Sequence, residues 1–118
     1  MAAAASLTIE YMRGDSYPKY FTVIDTDTKE PVPLDGYTVV MTVDENPEPK
    51  DSSSMVFQID GVVVPDEVGK FYIHPTESNN NIAPNTYYFD FQIINSSLGI
   101  KRTIAKGKYK IYQDINKT

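Results

Sequence analysis

The sequence predicts an all-β protein, a Greek-key sandwich of about seven short strands with at most one short helical turn near residues 75–83. Three observations carry that expectation. Along Tyr87, Phe89, Phe91 and Ile93 every second residue is large and apolar, with Asp90 and Gln92 between them. That is the period of a strand with one buried face and one wet face. Tyr37–Val43 reads YTVVMTV, a β-branched run suited to a pleated surface. Turn residues then punctuate the chain at short intervals, so that strand-length segments alternate with Gly, Pro, Asn and Asp. A small closed barrel is the alternative architecture.

Taken in order, Leu7, Ile9 and Tyr11 share one face of a first strand, which Arg13-Gly14-Asp15-Ser16 breaks with turn chemistry. Pro18 precedes a second strand, Lys19–Asp25, and Asp25–Glu30 reads as a polar hairpin tip. Pro31 and Pro33 favour an extended lead into Leu34-Asp35-Gly36 and the third strand, Tyr37–Val43. Asp44–Ser54, with two prolines and three serines, reads as a mobile loop. Met55–Ile59 is a fourth strand, Val62-Val63-Val64 an edge piece or a continuation after a bulge, and Gly69–His74 another strand. Pro75–Ser78 resembles a helix entry that Pro84 stops. Asn85–Asp114 forms a long hairpin. In its second arm Ile100 and Ile104 are even while Tyr109 and Ile111 are odd, so a bulge near Ala105–Gly107 is expected. This places a loose arm at residues 1–6, one domain at 7–114 and a frayed tail at 115–118.

The 118 residues fit one domain, and their 41% hydrophobic content is enough for one core. No stretch approaches the ~20 apolar residues of a membrane helix. The opening Met1–Ser6 lacks the basic leader and apolar length of a secretory signal. With no cysteine there is no disulfide framework, thiolate metal site or cysteine nucleophile. A net charge of −5 disfavours generic attraction to nucleic acid or anionic membrane. The charge is uneven, however. Lys101, Arg102, Lys106, Lys108 and Lys110 crowd the C-terminal strand, and Asp44, Glu45, Glu48 and Asp51 crowd one loop. Solvated strand faces explain this, as does complementary contact between neighbouring copies or partners.

No catalytic constellation emerges. Arg13-Gly14-Asp15 spells the tripeptide that integrins read, but it occupies a natural turn. Asp25, Asp27 and Glu30 could gather a hard cation, yet the spacing of a calcium loop is missing and a solvated turn suffices. His74 is the single histidine, which excludes a multi-histidine zinc site within one chain; copies around an axis could still share a metal. Asp90 lies mid-strand on the presumed outer face, where pairing with a lysine across the hairpin is the simple expectation. The glycines are isolated punctuation and form no phosphate loop. Tyr87-Tyr88 beside basic strands fits core packing better than a single-strand nucleic-acid platform. Asn95-Ser96-Ser97 and Asn116-Lys117-Thr118 match glycosylation acceptors and are read as incidental.

Five stretches, in order, carry a resemblance. They are Arg13-Gly14-Asp15-Ser16-Tyr17-Pro18 with Phe21-Thr22-Val23-Ile24-Asp25, then Pro33-Leu34-Asp35-Gly36-Tyr37-Thr38-Val39, Gly69-Lys70-Phe71-Tyr72-Ile73, and Ala83-Pro84-Asn85-Thr86-Tyr87-Tyr88-Phe89-Asp90-Phe91-Gln92-Ile93. Together, from about Leu7 to Gln113, the chain resembles the immunoglobulin-like β-sandwich of tailed-phage virion proteins, notably the N-terminal domain of phage baseplate upper proteins. The resemblance implies a non-enzymatic structural component of a virion, made in the host bacterial cytoplasm and placed at the baseplate, tail or fibre-attachment region. It implies binding to other virion proteins and a homo-oligomer in the particle, with no cofactor, metal, nucleic acid or membrane. The buried face would hold Phe21, Val23, Val39, Phe89, Phe91, Tyr109 and Ile111. Candidate partner-binding residues are Ala2, Ala3, Ala4 and Ala5 in the arm and Lys106, Lys108 and Lys110 on the outer face. A capsid decoration protein on the head surface is the nearest alternative. A carbohydrate- or host-surface-binding module, with Tyr17, Tyr72 or Tyr88 stacking on sugar rings, is the other.

Overall fold

The alternation that opens the C-terminal half builds the longest hairpin of the molecule. In a computed structural model, which describes residues 5–115, β7 (Asn85–Asn95) runs antiparallel to β8 (Ile100–Tyr112). Tyr87, Phe89, Phe91, Ile93 and Asn95 point inward along β7, alternating with half-buried residues. Phe91 pairs with Ala105 but Gln92 pairs with Thr103, so Ile104 is the extra residue of a β-bulge. The bulge thus sits just before the expected Ala105–Gly107, and it moves the inward parity to Ala105, Tyr109 and Ile111. Gly107 has a different task. A β-carbon there would lie 1.7 Å from the Leu7 carbonyl oxygen, so only glycine lets the first strand close up against β8.

That first strand, β1 (Ala5–Met12), pairs in parallel with β8 from Ala5↔Ala105 to Met12↔Tyr112 without a register break. It starts at Ala5, so Ala5 and Ser6 belong to the sheet and not to a loose arm. The backbone of β3 (Thr38–Asp44) pairs with β7 on one side and with β4 (Met55–Asp60) on the other. The five-stranded sheet therefore has the order β1-β8-β7-β3-β4. A smaller sheet holds β2 (Lys19–Thr22), β6 (Lys70–Ile73) and β5 (Val62–Val63), in the order β2-β6-β5. Among the described residues there are eight strands, against about seven expected, because the Val62 segment joins the other sheet. Gly61 makes that crossing: its N–H donates to the Val39 carbonyl at 2.7 Å, and a β-carbon would press within 3.1 Å of Val39. Two sheets with free edges also set aside the closed barrel.

The sheets meet through aromatic rings. Phe21 stacks on Phe71 at 5.6 Å, and both meet Phe91 of the opposite sheet, at 5.0 and 5.2 Å. Val23, Val39, Phe89, Phe91, Tyr109 and Ile111 are buried, and Phe21 is half-buried against them. Ile9, Tyr11, Leu34, Met41, Val43, Phe71, Ile73, Tyr87, Ile93 and Ala105 are buried with them. A single helical turn, α1 (Glu77–Asn80), follows β6. Thr76 and Asn79 cap it reciprocally, side chain to backbone, at 3.1 and 2.8 Å. The loop after β3 has more structure than its composition suggests. Asp44 is buried and accepts from the Asn46 N–H and the Ser54 hydroxyl, and Ser52–Ser54 form a 3₁₀ turn that Asp51 caps.

Candidate interaction surface

Because side chains alternate across a strand, the inward set of β7 and β8 leaves its complement on the outer face of the larger sheet. Cross-strand register then sets the rows of that face. Ser6, Lys106, Asp90 and Thr42 form one row, and Thr8, Lys108 and Tyr88 the next. A third row holds Glu10, Lys110 and Thr86. The loop after β3 overhangs the first two rows. Between it and β1 runs an open groove of about 550 Å³, lined by Ser6, Thr8, Tyr88, Lys106, Lys108 and Glu48 among others. A smaller hollow of about 90 Å³ continues beside Asp90 and Asn46.

The acidic loop and the basic strand, far apart in sequence, are therefore neighbours in space. No ion pair within 4.0 Å joins them among the described residues, where the one such pair is Lys70–Glu67, on the other sheet. Lys106 stands opposite Asp90 in register, yet the expected cross-strand pair does not close. Burial pushes the Asp90 carboxyl above the usual carboxylate range. Glu10 is engaged otherwise, accepting from the Tyr112 hydroxyl at 2.5 Å, a bond that raises the Tyr112 phenol.

The remaining candidates are distributed elsewhere. Ala2, Ala3 and Ala4 lie outside the described residues, as does the Asn116 glycosylation acceptor, while Ala5 is the first residue of β1. Arg13-Gly14-Asp15 is tied down against α1. The Gly14 N–H donates to the Asn80 carbonyl at 2.9 Å, the Asn80 amide to the Asp15 carbonyl at 2.7 Å, and Arg13 Nε to Asn81 Oδ1 at 3.1 Å. Ser16 donates to the Pro75 carbonyl rather than joining a local turn. Asp25 accepts from the Asp27 and Thr28 amides, which lower its carboxyl and make it the anchor of its hairpin tip. No group of three or more His, Cys, Asp or Glu residues suited to a metal occurs among the described residues. His74 is exposed at the end of β6.

Tyr17, Tyr72 and Tyr88 are not brought together. Tyr17 packs on Tyr11 at 4.9 Å in the turn after β1, and Tyr72 pairs with Tyr20 at 5.2 Å on the outer face of the smaller sheet. Tyr88 faces the groove, while adjacent Tyr87 is buried and donates to the Ala83 carbonyl at 2.6 Å. Asn80 is the important residue that sequence patterning missed. It is fully buried and accepts from the Tyr109 hydroxyl while holding the turn at Asp15. Burial of Tyr109 and Tyr11 drives both phenols well above their ordinary value. Three asparagines in a row, Asn79 to Asn81, lie within the expected helical turn near residues 75–83, and nothing in their spacing singles out the middle one. No protein-family model matches the chain, and no curated protein matches it.

Proposed function

We propose that this chain is a non-enzymatic assembly module that binds neighbouring proteins through the outer face and free edge of its larger sheet. The observation that carries the reading is that face itself, where Lys106 and Lys108 line an open groove beside an edge strand and have no ion-pair partner among the described residues. Two exposed lysines unpaired among the described residues are available for charge pairing with a partner, which favours encounter and orientation. The motif resemblance supports neighbours from a tailed-phage virion, at the baseplate, tail or fibre-attachment region.

Two features support the immunoglobulin-like part of that reading. The order β2-β6-β5 corresponds to strands B, E and D of such sandwiches, and β3-β7-β8 to C, F and G. Tyr87, at the start of β7, returns its hydroxyl to a carbonyl four residues upstream, as a tyrosine corner does. A head-surface position would use the same face. Mass spectrometry and cryo-electron microscopy of gradient-purified particles separate the two: density for the chain at the tail end supports the proposal, and density on the head assigns decoration. Absence of the chain from intact particles overturns both.

A further inference from the structure

The four sheet edges differ in how open they are. β2 and β5 are only four and two residues long, and the pairing of β4 with β3 carries a register break at Val43/Asp44. The eight residues of β1 are paired without a break along one side and close the sheet on the other. Their sequence, ASLTIEYM, contains no proline, no lysine and a single charge. Proline and lysine are devices by which proteins blunt an edge, and β1 carries neither. The Arg13 N–H donates to Tyr112 on β8. Backbone groups alternate in direction along a strand, so the amides of Thr8 and Glu10 face the open side.

The groove lies on the outer face over β8 and β7, with β1 as its rim. Ser6 and Thr8 are small and exposed, so a strand added beside β1 would send its outward side chains over them toward Lys106 and Lys108. We propose that the free edge of β1 is a docking site for an extended segment of a partner protein that carries carboxylates at alternate positions. Main-chain hydrogen bonds to β1 supply the alignment, and the two lysines select the charge. The acids fall opposite Ser6 and Thr8, where the lysines are reachable, and not opposite Glu10. This refines the assembly reading by naming the partner's chemistry, and rests on that reading for the partner's existence. A failure here leaves the position in the particle to be decided by microscopy.

The test is fluorescence anisotropy on the full chain, with labelled synthetic peptides in which Glu alternates with Val and Thr. The alternating peptide binds more tightly than a scrambled one with clustered Glu, and its affinity falls as salt is raised. Lys106→Glu with Lys108→Glu weakens it by about tenfold, the sum of two partly exposed charge pairs. The same double variant gains affinity for a peptide with Lys in place of Glu. Thr8→Pro removes an edge amide that β8 does not use, so it keeps the parent's thermal midpoint and loses the peptide. Should that variant unfold, N-methylation of alternate peptide amides gives the same readout on the parent chain. Equal binding of scrambled and alternating peptides overturns the proposal, as does binding indifferent to Thr8→Pro and to N-methylation. A dimer in light scattering that Thr8→Pro dissolves also overturns it, in favour of a second copy at this edge.

Discussion

Replacing Asn80 by alanine leaves the buried Tyr109 hydroxyl without its acceptor and the Asp15 carbonyl, in the turn after β1, without its donor. The expected cost is about 1–3 kcal/mol, since a buried polar group then keeps its desolvation penalty without compensation. A double-mutant cycle with Tyr109→Phe checks it: Asn80→Ala should cost measurably less once the hydroxyl is gone. Asp90 predicts the opposite sign. Its carboxyl is raised in the folded state, so folding binds that proton more tightly than the unfolded chain does. Its ionisation therefore costs stability as pH rises from the ordinary carboxylate range through the raised value. Asp90→Asn should be at least as stable as the parent at neutral pH and lack that decline, as urea unfolding at stepped pH would record. The two residues differ in legibility. Strand period placed Asp90 on the outer face, but only cross-strand geometry shows that Lys106 does not reach it. Asn80 is set by a contact between residues far apart in sequence, and period-two reasoning carries no information about that.

At the scale of elements, Gly107 is the position on which β1 depends. Gly107→Ala puts a methyl group into the Leu7 backbone, so β1 must move away from β8. Hydrogen exchange should then show faster exchange for β1 amides while those of β3 and β7 stay protected, with a loss of about 1–3 kcal/mol in global stability. Removing Ile104 tests the bulge. Without the extra residue Thr103↔Gln92 follows Ala105↔Phe91 directly and Ile100 stays opposite Asn95, so the hairpin should keep its register and lose only the local bend, which amide exchange across the hairpin would record. A bulge was legible as a change of parity between Ile104 and Tyr109. Its site was not, because glycine signalled the bulge to sequence reasoning while the structure uses Gly107 to admit a neighbouring strand. The loop after β3 carries order that composition does not announce. Pro and Ser composition announces irregular backbone, whereas its order comes from Asp44, whose side chain turns back to hold both ends.

For the whole molecule, the Phe21, Phe71 and Phe91 cluster joins the two sheets where a chain without cysteine has no covalent link. Phe91→Ala should cost about 3–5 kcal/mol and, against the ~5–15 kcal/mol typical of a domain, threaten folding outright. Thermal unfolding followed by circular dichroism would measure it. The pattern of alternating hydrophobic residues was sufficient by itself to make this an all-β protein, because period-two burial needs only local chain geometry. It also placed most strands, and every residue named as core lies buried or half-buried. What only the tertiary structure decided is which strands are neighbours: that β1 returns to β8 in parallel, that Val62 leaves one sheet for the other, and that an acidic loop overhangs a basic strand. Those pairings join residues up to a hundred positions apart, and their selection rests on close packing and backbone fit, which local sequence does not encode.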